Sequence, residues 1–414
     1  MKAVVFTLGC KVNECESDSL VKGLIELGYE VSNKLEKADL YIVNTCAVTK
    51  EAEKKSRQVA SRINKLNECA KVIFTGCACQ KDASSFIGKN PNYLVTGVFN
   101  KNAILKMLSN SGVSVFPERS EYEELLPVNP MGTRTFIKVQ DGCNNFCSYC
   151  IIPYLRGRSR SRNPLSVRAE IERIAPKEAV ITGINLTSYD FEGKGLTSLI
   201  EALYGLDCRI RLGSLEAGVI TNEFLSALKN LNDFAPHFHL SLQAGSNAVL
   251  KKMNRRYDRE QYLEKVFLIR EYFPNAGITT DVIAGFPTET EDDFLESLSL
   301  IDEAKFSDIH AFAFSPREGT VAYKMQDLPY QVKKERLDKL LDKKAKLKEA
   351  FARSQEGKTL KFLPEEFKEG YTQGYTENYL HVFVKGDYSG REILKIKIEK
   401  PFCDGALATV IEGE

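Results

Sequence analysis

Asp141-Gly-Cys143-Asn-Asn-Phe-Cys147-Ser-Tyr149-Cys150-Ile-Ile-Pro153 decides how this chain is read. Its cysteines are spaced C-x3-C-x2-C, and no fourth Cys or His lies near them: the next Cys is Cys208 and the first His is His237. A closed zinc site takes four ligands, so the local sequence cannot complete one. Three thiolates suit an iron-sulfur cluster with one iron left open to a small molecule. The alternative is three buried or zinc-recruiting thiols.

The surrounding pattern is α/β. Six strand-like runs are predicted after Gly132: Thr135–Val139, Ala179–Thr182, Arg209–Leu212, His237–Leu242, Ile278–Ile283 and Ile309–Phe314. Helical stretches separate them, at Ser166–Ile174, Leu196–Tyr204, Asn222–Leu231, Arg259–Tyr272 and Glu291–Ala304. Six repeats fall short of the eight of a full (β/α)8 barrel, so an open, partial (β/α)6 barrel is expected. The stretch Lys333–Gln355 reads as a charged helix that ends this domain, 133–355, with Lys333–Lys348 most simply an amphipathic packing helix. Gly357 to Glu414 is strand-rich with Gly and Tyr, and predicts a small β-barrel over 356–414.

Upstream, Ala3–Thr7, Asp39–Val43, Lys71–Phe74 and Tyr93–Val95 alternate with helical stretches Glu16–Leu27, Thr49–Leu66 and Lys101–Leu108. That is a small parallel α/β domain, 1–116. Residues 117–132, rich in Glu and Pro, read as a linker. Cys10, Cys46 and Cys77 each follow one of the first three strands. Their separation forbids a linear metal motif, but the carboxyl ends of parallel strands share one edge, and ligands gather in that crevice. The competing view is that three ordinary buried cysteines coincide there.

Lys and Arg number 57 against 56 Asp and Glu, so any nucleic-acid partner must be met by local patches rather than overall charge. Eleven cysteines are too sparse for a disulfide scaffold. Met1 to Asn13 lacks the long apolar core of a signal peptide, and no apolar run is long enough to span a bilayer. A reducing cytoplasm is expected, with no membrane association.

Four long runs carry a resemblance: Thr7-Leu-Gly-Cys-Lys-Val-Asn13, Asp141 to Pro153, Arg156-Gly-Arg-Ser-Arg-Ser-Arg162 and His239-Leu-Ser-Leu-Gln-Ala-Gly-Ser246. In number and order they are similar to the radical S-adenosylmethionine (SAM) methylthiotransferases. The resemblance implies a radical SAM barrel between an amino-terminal domain and an RNA-binding β-barrel of the TRAM type. It implies two 4Fe-4S clusters, an auxiliary one on Cys10, Cys46 and Cys77 and a SAM-binding one on Cys143, Cys147 and Cys150. In that family one SAM methylates a sulfur at the auxiliary site, and a second yields the radical that takes hydrogen from adenine C2. The run Leu8-Gly-Cys-Lys-Val-Asn13 resembles the branch acting on N6-threonylcarbamoyladenosine at tRNA position 37. Other branches act on isopentenyl-adenosine or a ribosomal protein aspartate. A different class, a non-catalytic metal-dependent RNA-binding protein, would use the cysteines structurally. The implied partners are a tRNA anticodon stem-loop and a low-potential electron donor such as flavodoxin or ferredoxin; the sequence leaves the oligomeric state open.

Candidate SAM contacts are Tyr149, which precedes the last cysteine, and polar or small residues at predicted strand ends: Gly183, Asn185, Ser214, Glu216, Gln243 and Asp281. Arg317, in Pro316-Arg-Glu-Gly-Thr320, is a possible carboxylate or phosphate partner. Arg156, Arg158, Arg160 and Arg162 recur every second residue, which in extended backbone puts all four on one side as candidate phosphate contacts. From Glu356 on, 8 Lys and Arg face 11 Asp and Glu, so RNA affinity there cannot come from bulk charge. Tyr371, Tyr375 and Tyr379 offer stacking faces or barrel core.

Overall fold

Strands covered on both faces read as continuous apolar runs, and Ala3–Val5, Leu40–Val43 and Val72–Phe74 are buried throughout. In the computed structural model, which describes residues 1–87, 91–125 and 133–411, they belong to a six-stranded, all-parallel sheet. Its order is Glu30–Ser32, Lys2–Thr7, Leu40–Thr45, Lys71–Gly76, Tyr93–Thr96, Gly112–Ser114. The two edge strands, three residues each, escape the sequence pattern because they are too short to show a period. Alternate residues feed two cores: Val5, Ile42 and Ile73 pack on the helix Lys11–Glu26, while Val43, Val72 and Phe74 share a core with Val59 and Ile63 of the helix Lys50–Leu66. The first helix begins at Lys11, five residues before the expected Glu16. Lys101–Lys106 is a 3-10 turn.

The middle domain has the six expected parallel strands: Arg134–Asp141, Glu178–Gly183, Arg209–Leu212, His237–Leu240, Gly277–Ala284 and Asp308–Ala313. The third breaks at Gly213 and continues as Ser214–Leu215, its first half pairing with Glu178–Gly183 and its second with His237–Leu240. Ile137, Val139, Ile181, Ile210, Phe238 and Leu240 face the outer helices in one core. By alternation Phe136, Lys138, Glu178, Arg211, His237 and His239 line the inside. The helix Lys11–Glu26 packs against the first two strands of this partial barrel, where the Cys15 thiol lies 3.3 Å from the Phe136 carbonyl.

Thr359–Lys368, Tyr371–Thr376, His381–Lys385, Gly405–Val410 and Leu394–Phe402 form a closed five-stranded barrel around Phe362, Val382, Ile396 and Ala408. Its turn after Thr376 enters the amino-terminal mouth of the partial barrel. Arg211 donates from Nη2 to the Thr376 carbonyl and from Nη1 to that of Glu377, both at 3.2 Å. The Tyr379 ring stacks on His237 with centroids 4.2 Å apart, and Tyr375 stacks on Tyr379 at 4.6 Å. A Cβ on Gly277 would fall 2.0 Å from the Asn378 carbonyl oxygen, so only glycine admits the turn. Two of the three tyrosines read as stacking faces or barrel core are therefore spent on this domain contact.

Pro117 to Leu125 is strapped down rather than free. The Glu118 carboxylate accepts from the Arg158 amide at 2.7 Å, the Tyr122 hydroxyl donates to the Lys138 carbonyl at 2.7 Å, and Glu124 pairs with Arg162 at 2.7 Å. The rest of the expected linker, 126–132, lies outside the described residues.

Candidate active site

Cys10, Cys46 and Cys77 sit at the carboxyl edge of the first sheet, as three adjacent parallel strands require. Gly9 (φ +108°) and Gly76 (φ +97°) adopt the left-handed conformation immediately before two of them. A Cβ on Gly9 would lie 3.0 Å from the Cys46 sulfur, and one on Gly76 would lie 2.4 Å from the Thr45 carbonyl oxygen. Burial raises the Cys10 thiol and pushes the Cys46 thiol up to about 11; neighbouring cysteines raise each further, and Arg156 opposes. Cys79, two residues past Cys77, faces Thr45 instead, its sulfur 3.4 Å from the hydroxyl.

The second set follows the first barrel strand. Cys143 Sγ accepts from the Asn145 amide at 3.3 Å and from Asn185 Nδ2 at 3.7 Å, while Cys147 Sγ accepts from Arg255 Nη1 at 3.4 Å. Burial pushes the Cys150 thiol up to about 12. A recess beside these cysteines is lined by Tyr149, Asn185, Ser214, Glu216 and Gln243, all expected there. Gln243 holds φ +73°, unusual for a residue with a side chain, and its backbone is fixed by two hydrogen bonds: its N–H donates to the Asp281 carbonyl at 2.8 Å and its carbonyl accepts from the Ile283 N–H at 2.9 Å.

Two other candidates lie outside the recess lining. Gly183 does not line the recess: a Cβ there would sit 2.9 Å from Gln140 side-chain atoms, so this glycine admits Gln140 and its neighbour Ile184 faces the recess. Asp281 turns instead to His239 Nε2 (3.3 Å) and His310 Nδ1 (3.5 Å); burial would raise its carboxyl, but these imidazoles hold it well below the usual range. Sequence reasoning missed Asn145 and Arg255. Asn145 Nδ2 donates to both Glu216 oxygens at 3.0 and 2.8 Å, and Arg255 pairs with Glu216 at 3.2 Å. Asn145 lies inside the cysteine loop and was the findable one.

The arginine series is also corrected. Ile152–Arg156 is a helical turn and only Arg160–Ser161 is extended, so the alternation does not place four guanidinium groups on one side. Arg156 is fully buried, and Arg160 and Arg162 are buried. Arg156 Nη1 pairs with Glu16 at 2.8 Å and Asp141 at 3.1 Å, and Arg162 is held by Glu124 and Glu170. Only Arg158 is exposed, its guanidinium 4.8 Å from the Phe146 ring centroid. Arg317 is likewise buried and paired with Glu53.

Glu16 gathers Arg156, Lys138 (3.1 Å) and Lys101 (3.5 Å), and Lys138 reaches Asp141 at 2.7 Å. Burial alone would raise the Glu16 carboxyl, but these three cations hold it well below the usual carboxylate range. The network carries more positive than negative charge, and Arg156 Nε turns the surplus onto Cys77 Sγ at 3.3 Å.

Both cysteine sets fit clusters better than single ions. Thiolates on one zinc lie about 4 Å apart. Among the described residues, the only three metal-ligating groups with their atoms all within 4.8 Å are His239, Asp281 and His310, so neither cysteine set is drawn in that tightly. Donors aimed at Cys77, Cys143 and Cys147 suit sulfur that carries negative charge.

Residues 137–301 match the radical SAM superfamily, and residues 2–97 match the uncharacterized protein family UPF0004. The threonylcarbamoyladenosine tRNA methylthiotransferase MtaB of Bacillus subtilis (strain 168) is 37% identical, over all of this chain and 98% of its own. A tRNA-2-methylthio-N(6)-dimethylallyladenosine synthase of Bacillus velezensis is 35% identical over 88% of this chain and 76% of that protein. Among solved structures, the radical SAM methyltransferase TsrM of Kitasatospora setae, with cobalamin and a [4Fe-4S] cluster bound, superposes with a TM-score of 0.52 at 14% identity, over 75% of this chain and 74% of that one, which shows the shared fold. The chain belongs to the methylthiotransferase family of radical SAM enzymes. SAM and two 4Fe-4S clusters are that family's cofactors, and the two cysteine sets are the residues suited to hold the clusters.

Proposed function

We propose that this enzyme converts N6-threonylcarbamoyladenosine at tRNA position 37 to its 2-methylthio derivative. The observation that carries the substrate is coverage: the chain matches the threonylcarbamoyladenosine relative from end to end, and the dimethylallyladenosine relative over only three quarters of that protein. When bound, a cluster on Cys143, Cys147 and Cys150 supplies the electron that cleaves SAM, and one on Cys10, Cys46 and Cys77 supplies the sulfur-bearing site. The residues then divide the remaining work. Glu216, oriented by Asn145 and Arg255, offers acceptors for an ammonium or ribose hydroxyl, with Gln243 and Asn185 beside it. Arg156 fixes the turn after Cys150 against the first sheet, which sets the distance between the two cysteine sets. The helix Lys11–Glu26 packs on the first two barrel strands and shields that part of the interior from water. A flavodoxin or ferredoxin is the proposed electron donor.

Mass spectrometry of tRNA nucleosides from a deletion strain tests this. The expected result is loss of 2-methylthio-threonylcarbamoyladenosine, with its unthiolated precursor retained and the isopentenyl product normal. Loss of the isopentenyl product alone moves the enzyme to the other branch.

A further inference from the structure

Inside the partial barrel, the charged side chains near the amino-terminal mouth are matched to one another. Arg211 makes a two-point contact with Glu178 at 2.7 and 2.9 Å, and Arg134 pairs with Glu178 at 3.0 Å and with Glu365 at 2.8 Å. Lys11, the first residue of the helix that packs on the first two barrel strands, is the exception. No ion pair or hydrogen bond of its ammonium is found among the described residues, and its Nζ stands 6.0 Å from the centroid of the Phe136 ring on the barrel's inner face. Its cationic neighbours are Arg134 and Arg211, and its acidic neighbours are Glu14 and Glu178. By surface area Lys11 is exposed, yet protein surrounds it on most sides. An ammonium with no direct ion pair, on the barrel's inner face and within electrostatic reach of two guanidinium groups, is poised for an anion that arrives from outside.

We propose that Lys11 receives the free carboxylate of the threonylcarbamoyl substituent and thereby selects that substrate over adenosines with an uncharged N6 group. This rests on the substrate reading above. Lys11 directly follows Cys10, so it stands beside the auxiliary site where sulfur meets the base. An isopentenyl group would leave the ammonium unmatched in a partly dry space, which costs affinity.

The test uses the full chain, reconstituted anaerobically, with synthetic anticodon stem-loops carrying threonylcarbamoyladenosine, its primary-amide analogue, or isopentenyl-adenosine. The wild type is expected to bind the carboxylate RNA about 10- to 100-fold more tightly than the amide by fluorescence anisotropy. Lys11→Gln erases that ratio, and Lys11→Arg keeps most of it. Iron and sulfide content, read on every variant, guards against a damaged cluster beside Cys10. Equal wild-type affinity for carboxylate and amide overturns the proposal without needing any variant, and so does a Lys11→Gln protein that keeps the ratio with its iron intact. Product analysis on the wild type separates the two failures: methylthiolation of the isopentenyl stem-loop alone defeats the substrate reading itself.

Discussion

Arg156 Nε lies 3.3 Å from the Cys77 sulfur, and Nη1 of the same guanidinium lies 2.8 Å from Glu16. One side chain from the turn after Cys150 thus touches a cysteine of the other set and the carboxylate that neutralises it. Removing Glu16 leaves Arg156 and Lys138 buried with the Asp141 carboxylate, and leaves Lys101 buried with its neutral acceptors, the Thr75 hydroxyl and the Gly97 carbonyl. Glu16→Gln is therefore expected to destabilise the fold by about 3–5 kcal/mol, read from urea midpoints on the metal-free protein. A loss below about 1 kcal/mol would mean that water or rearrangement already balances these cations.

The same network gives a pH dependence. Glu16 is held well below the ordinary range and Asp141 is lowered to about 2, with burial opposed first by Lys138 and then by Arg156. Carboxyls whose folded pKa is depressed contribute stability that is present above their unfolded values, about 4. That stability is lost as pH falls through the folded values. Urea midpoints should drop steeply between about pH 4 and pH 2, and Asp141→Asn should flatten that drop. An unaltered slope would place the acid sensitivity elsewhere.

Replacing Cys143, Cys147 and Cys150 by Ala is expected to leave about half the iron and abolish SAM cleavage, since each set suits one cluster. Replacing Cys10, Cys46 and Cys77 should leave SAM cleavage intact and block methylthio transfer. Iron analysis and quantification of 5′-deoxyadenosine read the two outcomes. Iron near zero in the first variant would defeat the two-site assignment.

Arg158 is the one exposed guanidinium of its series. Arg158→Ala should lower the salt slope of tRNA binding by about 0.9, the counterion release of a single phosphate contact. Arg160→Ala should act on stability instead, because Arg160 donates to the Arg156 and Arg158 carbonyls at 2.9 Å. A slope unchanged by Arg158→Ala would make it a surface residue packed on Phe146.

Strand positions were legible because buried parallel strands are apolar along their length, and cysteines that end adjacent strands must share an edge. The arginine series misled for a definite reason. Period two implies one face only in extended backbone, and the turn at Ile152–Arg156 breaks that condition. Gly183 does end its strand, but the Gln140 side chain packs where its own would be; Asp281 faces the barrel interior from the middle of Gly277–Ala284, where His239 and His310 on the neighbouring strands take it up. Arg255 carries no pattern at all: it reaches Glu216 and Cys147 only because the chain after the helix Asn247–Lys252 folds back over them.

Glu16 belongs to the amino-terminal domain, and two of the three cations it neutralises belong to the barrel. The boundary between the two domains therefore runs through a charge balance rather than through an empty seam. An amino-terminal domain grafted from a relative would have to bring an acid at position 16 along with its cysteines, or the barrel it joins would be left with surplus buried charge. Modular exchange of these domains is constrained at that one carboxylate more than at the linker that joins them.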